Sequence, residues 1–199
     1  MPIVLNRSVL SQELKKFDLS SIEDKAKNIA EEEIFKIKKE LIDNFNNHPV
    51  TKELEGGAEA QNESSTLNGI GNLTTYIGFS PSSNPTEPVR QILNTVEVRK
   101  EKFKKNFNNN EIIFEFDVSA PTIEEIEEVG SLPFEPGQSW IKGIENGISG
   151  FGAYIYGKIF KNSRSGKALQ SKNSFRQGSF RPVKYISEIM GKFYLKLKK

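Results

Sequence analysis

From Ile22 to Phe45 the apolar residues Ile22, Ala26, Ile29, Ile34, Ile37, Leu41 and Phe45 recur at mostly three- and four-residue steps. That spacing places them on one side of an α-helix. The other side carries Glu31, Glu32, Glu33, Lys36, Lys38 and Lys39, with Glu32 and Lys36 in the favourable order four residues apart. Ser20-Ser21-Ile22-Glu23 offers a capping box at the start, in which a hydroxyl and a carboxylate satisfy orphan helix N–H groups. His48-Pro49 ends the helix, because the residue before a proline avoids helical dihedrals. A helix with one apolar stripe is stabilised mainly by what covers that stripe. The remainder of the chain must therefore supply a partner layer, and 199 residues suffice for a single domain that buries roughly 70% of its unfolded surface.

Shorter elements follow. Pro49–Leu54 makes one more turn, closed by Gly56-Gly57. Residues 58–69 hold one large apolar side chain, Leu67, and read as a flexible loop. Leu73, Thr75, Ile77 and Phe79 alternate, which predicts a half-buried strand over Asn72–Phe79. Thr86 is expected to cap a short helix with Pro88 in its first turn and Val89, Ile92, Leu93 and Val96 on its apolar side. Val96–Phe103 and Glu111–Val118 read as strands joined by an Asn-rich hairpin loop, and Ile3-Val4-Leu5 as a further short strand. Thr122-Ile123-Glu124-Glu125 is a second capping box, opening a helix that ends at Gly130. Pro133–Gly137 reads as a loop, Ser139 as the cap of a helix over Trp140–Glu145, and Gly147–Phe160 as entering a strand near Tyr154. Residues 161–180 are a polar, basic loop or exposed hairpin. Arg181-Pro182 opens a closing helix with Val183, Ile186, Ile189, Met190, Phe193 and Leu197 at helical spacing.

The residue inventory removes most chemistry. There is no cysteine, hence no disulfide, thiolate metal site or cysteine nucleophile. The apolar runs are only a few residues long, so no bilayer span is expected. Met1–Ser11 lacks a basic stretch followed by an apolar one, so no secretory signal is expected there, and the sequons at Asn6, Asn62 and Asn72 are read as chance. The single histidine, His48, reads as a capping or surface residue rather than a general base. Glu124, Glu125, Glu127 and Glu128 favour the dipole and the solvated face of their helix. Gly69-Ile70-Gly71 lacks the context of a phosphate loop, and Ser163-Arg164-Ser165-Gly166 that of a nucleophile elbow. The expectation is a protein made in the cytosol that is not an enzyme, with no catalytic, cofactor or metal site.

Charge is distributed unevenly. Residues 161–199 carry eleven Lys/Arg against one acid, Glu188, a net of +10, which leaves −8 for residues 1–160 of a chain whose formal charge is +2. No acid occurs between Glu145 and Glu188. Three readings are open: a solvated loop, a segment facing a polyanion, or one docking on an acidic neighbour, another copy of the chain included. The residues singled out as facing DNA or a subunit interface are Lys158, Lys161, Arg164, Lys167, Lys172, Arg176 and Lys184, with Phe175 and Phe180 interleaved.

The order of these features resembles the tail-completion or neck proteins of tailed bacteriophages, the broad HK97 gene-10-like minor tail protein group. The correspondence runs through the long N-terminal helix and Gly71-Asn72-Leu73-Thr74-Thr75-Tyr76-Ile77-Gly78-Phe79, which is similar to the family's Gly-x-Leu strand. It continues through the hairpin Val96–Val118, the aromatic-glycine segment Ser149–Gly157, and Phe180-Arg181-Pro182-Val183 before the closing helix. Pro121–Gly147 is longer than the family core, and Gly157-Lys158-Ile159-Phe160 stands where the family has Glu-Phe-Gly-Thr. The resemblance implies an α+β fold in which the long N-terminal helix and the C-terminal helix pack on a curved antiparallel sheet, with long loops. Length leads to the expectation of a single domain over residues 1–199, and composition to that of 58–69 and 161–180 as flexible loops or assembly arms. The resemblance also implies a virion structural protein at the head–tail junction or tail end, made in the host cytoplasm, without cofactor or enzymatic activity. The partners so implied are further copies in a ring of six or twelve, neighbouring portal, adaptor, tail-tube or terminator proteins, and transient non-specific contact with packaged DNA. An alternative of another class is a small nucleic-acid-binding or DNA-packaging accessory protein acting through 158–184.

Overall fold

The structure, a computed structural model, describes residues 2–6, 19–69, 71–80, 82–99, 111–132, 135–147 and 180–198. It is a mixed fold in which helices dominate and the strands pair as small antiparallel ribbons. The helices are α1 (Leu19–Asn47), α2 (Pro49–Glu55), α3 (Leu73–Ile77), α4 (Glu87–Leu93), α5 (Ile123–Val129), α6 (Trp140–Asn146) and α7 (Ile186–Leu197). The strands are β1 (Pro2–Asn6), β2 (Glu97–Arg99), β3 (Glu111–Glu115), β4 (Asp117–Ser119), β5 (Ser131–Leu132) and β6 (Glu135–Ser139).

Helix α1 is the backbone of the packing. Ala26, Ala30, Ile34, Ile37, Leu41 and Phe45 are all buried, and α7 lies against the C-terminal half of this stripe. Ile29, assigned to the stripe by spacing, is 54% exposed; Ala30 takes its place because the 26, 30, 34 steps hold the face while 29 rotates off it. An ion pair between Glu40 and Lys196 joins the rims of the two helices. The second layer comes from short helices. Val50, Leu54, Leu73, Ile77, Val89, Leu93, Ile126, Trp140, Ile141 and Ile144 join Ile186, Ile189, Met190 and Phe193 in one core. Arg90 clamps this layer to α1. Its guanidinium pairs with Glu55 and with Glu87 at 2.6 Å, donates to Asn46 Oδ1 at 3.1 Å, and lies over the Phe45 ring.

The hairpin expectation is met in part. Strand β2 pairs antiparallel with β4, Val98 opposite Val118, while β3 pairs with β1, Val4 opposite Ile113. Residues 100–110, and with them the Asn-rich loop, lie outside the described residues. Among the described residues the strands form three two-stranded ribbons, not one curved sheet.

Four readings are corrected. Asn72–Phe79 is not a strand but the helix α3. Asn72 accepts from Thr75 N–H at 2.9 Å as N-cap, and Gly78, at φ 85°, closes the helix in the left-handed region. Leu73 and Ile77 fit a period of two and a helical turn equally, and burial of Thr74 with exposure of Thr75 settles it as helix. Within Pro133–Gly137, read as a loop, residues 135–137 belong to β6. The closing helix starts at Ile186, and Arg181–Tyr185 lead into it without regular secondary structure. Residues 58–69 are not a free arm: Ser64, Thr66 and Leu67 are buried, held by turns around the Asn62 side chain. Gly147–Phe160 beyond Gly147, and 161–179, lie outside the described residues.

Candidate interaction site at the root of the basic segment

Between Gly147 and Phe180 the chain makes one excursion, residues 148–179, which contains six cations and no acid. Those cations are Lys158, Lys161, Arg164, Lys167, Lys172 and Arg176, six of the seven residues singled out from sequence, and all six lie outside the described residues. What the structure places is where the excursion begins and ends.

It begins at the end of α6. Ser139 caps that helix by accepting from Lys142 N–H at 3.4 Å, and Trp140, Ile141 and Ile144 bury its inner face. Gly147 stops it at φ 86°, a conformation that favours glycine, where an added Cβ would meet Pro182 at 3.3 Å. It ends beside the same point. Phe180 stacks on Tyr76 with ring centres 6.0 Å apart, Arg181 N–H donates to Thr66 O at 2.8 Å, and Val183 N–H donates to Ile144 O at 3.1 Å. Both ends of a cationic excursion are thus rooted side by side.

The returning root then runs into the core. Glu145 Oε1 accepts from Tyr185 N–H at 3.0 Å and Ser187 N–H at 2.8 Å, so a carboxylate of α6 caps the start of α7. The Tyr185 ring is fully buried between Phe45, His48 and Trp140, and its hydroxyl bonds Thr51 Oγ1 at 2.8 Å. Burial pushes that phenol far above its usual pKa, so it stays neutral. His48 Nδ1 accepts from Val50 N–H at 3.2 Å and caps α2, while the imidazole also bonds the Lys184 carbonyl. Burial holds the His48 pKa below its usual value, against the pull of Glu188.

Lys184, the seventh residue singled out, is exposed at this root together with Arg181. Lys192 bonds Glu188 at 2.7 Å and, with the charge of Lys184, holds that carboxyl below its usual pKa. On α5, Glu125 is committed to the capping box with Thr122, and burial raises the Glu127 carboxyl. Among the described residues no group of His, Asp and Glu is placed to hold a metal ion, and no helix is long and apolar enough to cross a membrane.

Two residues central to this root were not singled out from sequence. Tyr185 is hidden in the sequence because Val183 and Ile186, on either side of it, carry the helical spacing. Glu53 escaped because a glutamate in a short helix reads as solvated. Its position between Val50 and Leu54, followed by Asn62, Ser64 and Thr66, was the available signal. No family model, no curated protein and no solved structure matches this chain. Its functional reading rests on its own chemistry.

Proposed function

We propose that this chain is a structural protein of a tailed-bacteriophage virion, a ring-forming neck or tail-completion subunit at the head–tail junction or tail end, and not an enzyme. The observation that carries the reading is the acid-free excursion 148–179, rooted at both ends against Pro182, Ile144 and Thr66. Six cations without a counter-charge in their own segment repel one another until an anionic surface is supplied. In a ring, that surface is the acidic remainder of the next copy or the phosphates of DNA in the channel. Unlike patches on one chain make head-to-tail contacts, which close into rings when the rotation permits. The curved antiparallel sheet belongs to this proposal, as do the six or twelve copies, the portal, adaptor, tail-tube or terminator neighbours, and 161–180 as an assembly arm. The resemblance is weakened at residues 71–79, where the family has a strand and this chain has α3.

The runner-up, a DNA-packaging accessory or nucleic-acid-binding protein acting as a monomer or dimer through 158–184, draws on the same cations with Phe175 interleaved. A salt titration of duplex binding separates the two. Phosphate contact by a channel is expected to be weak, blind to sequence and steeply salt-dependent, with Lys172→Glu/Arg176→Glu lowering the log–log slope by about two. Tight binding by a monomer favours the accessory protein. A flat, charge-independent result removes DNA contact and leaves the segment to subunit contact alone.

A further inference from the structure

Glu53 faces the core from α2 and is fully buried. Its carboxylate accepts from Leu73 N–H at 2.7 Å, from Ser64 N–H at 3.0 Å, and from the Asn62 side-chain amide at 2.9 and 3.1 Å. Among the described residues no lysine or arginine pairs with it. An apolar side chain would occupy the space with far less desolvation, so general core stability is a poor reason for a carboxylate here. What a carboxylate supplies is convergence: one group draws donors from both ends of the 62–73 stretch onto α2. Asn62 extends the hold by accepting from Leu67 N–H at 3.0 Å and Gly69 N–H at 3.1 Å, and the Ser64 and Thr66 hydroxyls bond each other at 2.8 Å.

The stretch so held is the wall on which the returning root of the excursion lies. Thr66 O receives Arg181 N–H, and Tyr76 of α3, the helix whose first N–H Glu53 binds, stacks on Phe180. The backbone N–H groups just beyond are bonded to α6, through Ile144 O and Glu145. We infer that Glu53 is a positioning residue for the basic segment, fixing its returning root at Phe180 and Arg181 through Asn62, Ser64 and Leu73. Its consequence for contact with DNA or a neighbouring copy rests on the function proposed above; the positioning does not.

Hydrogen exchange of the full chain tests it, comparing wild type with Glu53→Gln and with the milder Asn62→Ala, which keeps the carboxylate and its two backbone donors. Glutamine presents an N–H₂ where donors point, and alanine removes the amide that bridges carboxylate to loop. In the variants that fold, the Ser64, Leu73 and Arg181 amides are expected to exchange about tenfold faster or more, while Val183, Tyr185 and Ser187 keep their wild-type rates. An Arg181 amide as slow as in wild type, with Ser64 and Leu73 accelerated, overturns the inference by confining Glu53 to its own loop. Uniform acceleration through Val183, Tyr185 and Ser187 overturns it too, by making Glu53 a general support of the fold, as does unchanged exchange throughout. None of these readouts involves DNA or assembly, so the positioning fails or stands apart from the proposed ring.

Discussion

At the scale of single residues, the contacts of greatest consequence are polar groups that the core has enclosed. His48 must stay neutral to cap α2, because a protonated imidazole has no acceptor left for Val50 N–H. The groups facing it, Glu188, Lys184, Lys192 and Glu145, partly offset one another, and burial prevails in the lowered pKa. As pH falls the unfolded chain, with a histidine near 6.5, takes up the proton first. Stability is therefore complete above about pH 6.5 and is lost below it, down to the depressed value of the folded state. Denaturant midpoints at about pH 7.5 and 5.5 are expected to fall on acidification for wild type. They should fall less for His48→Asn, which keeps a capping oxygen but does not titrate; a rise on acidification would place Glu188 above burial. Tyr185→Phe deprives buried Thr51 of its partner at no cost in volume. The expected loss is about 1 kcal/mol, or ~2–4 °C in thermal midpoint. An unchanged midpoint would mean that Thr51 finds another partner.

At the scale of elements, the sequence is readable where periodicity is long and at the capping box of α5. Helix α1 declares itself through six buried positions on one face, and the Thr122–Glu125 capping box is formed as written: Glu125 N–H to Thr122 Oγ1 at 3.2 Å, Thr122 N–H to Glu125 Oε2 at 2.8 Å. Helix α3 was illegible because four alternate positions in a short stretch satisfy a strand, while the deciding bonds come from distant residues. Asn72 donates to Ala58 O, and Glu53 binds Leu73 N–H. The candidate site divides the same way: charge composition marks 148–179 in the sequence, whereas the adjacency of its roots is tertiary. Helix α7 carries the prediction at this scale. Ile186 is fully buried beside Tyr185 and Met190, so Ile186→Asp forces an unpaired carboxylate into the core. A loss exceeding about 4 kcal/mol is expected, read as collapse of the cooperative unfolding transition followed by circular dichroism. A soluble variant with a native-like transition would mean that α7 docks elsewhere.

At the scale of the whole molecule, the described residues bring the two flanks of 148–179 together at the root. Gly147 and Pro182 adjoin, Ile144 O binds Val183 N–H, and Glu145 caps α7. Replacing 148–179 by about six Gly/Ser residues, a reach of up to ~20 Å, is expected to leave the unfolding midpoint of the subunit nearly unchanged. The piece removed carries a formal charge of +6, which leaves −4 on the body that the excision keeps. The central claim, that this rooted segment makes the contacts of a ring, is therefore tested most directly by native mass spectrometry of the full chain beside the excised variant. A discrete closed oligomer, dissociating as salt is raised, is expected for the full chain and a folded monomer for the variant. A full chain that stays monomeric at every salt and protein concentration, or a variant that assembles as the full chain does, would contradict it.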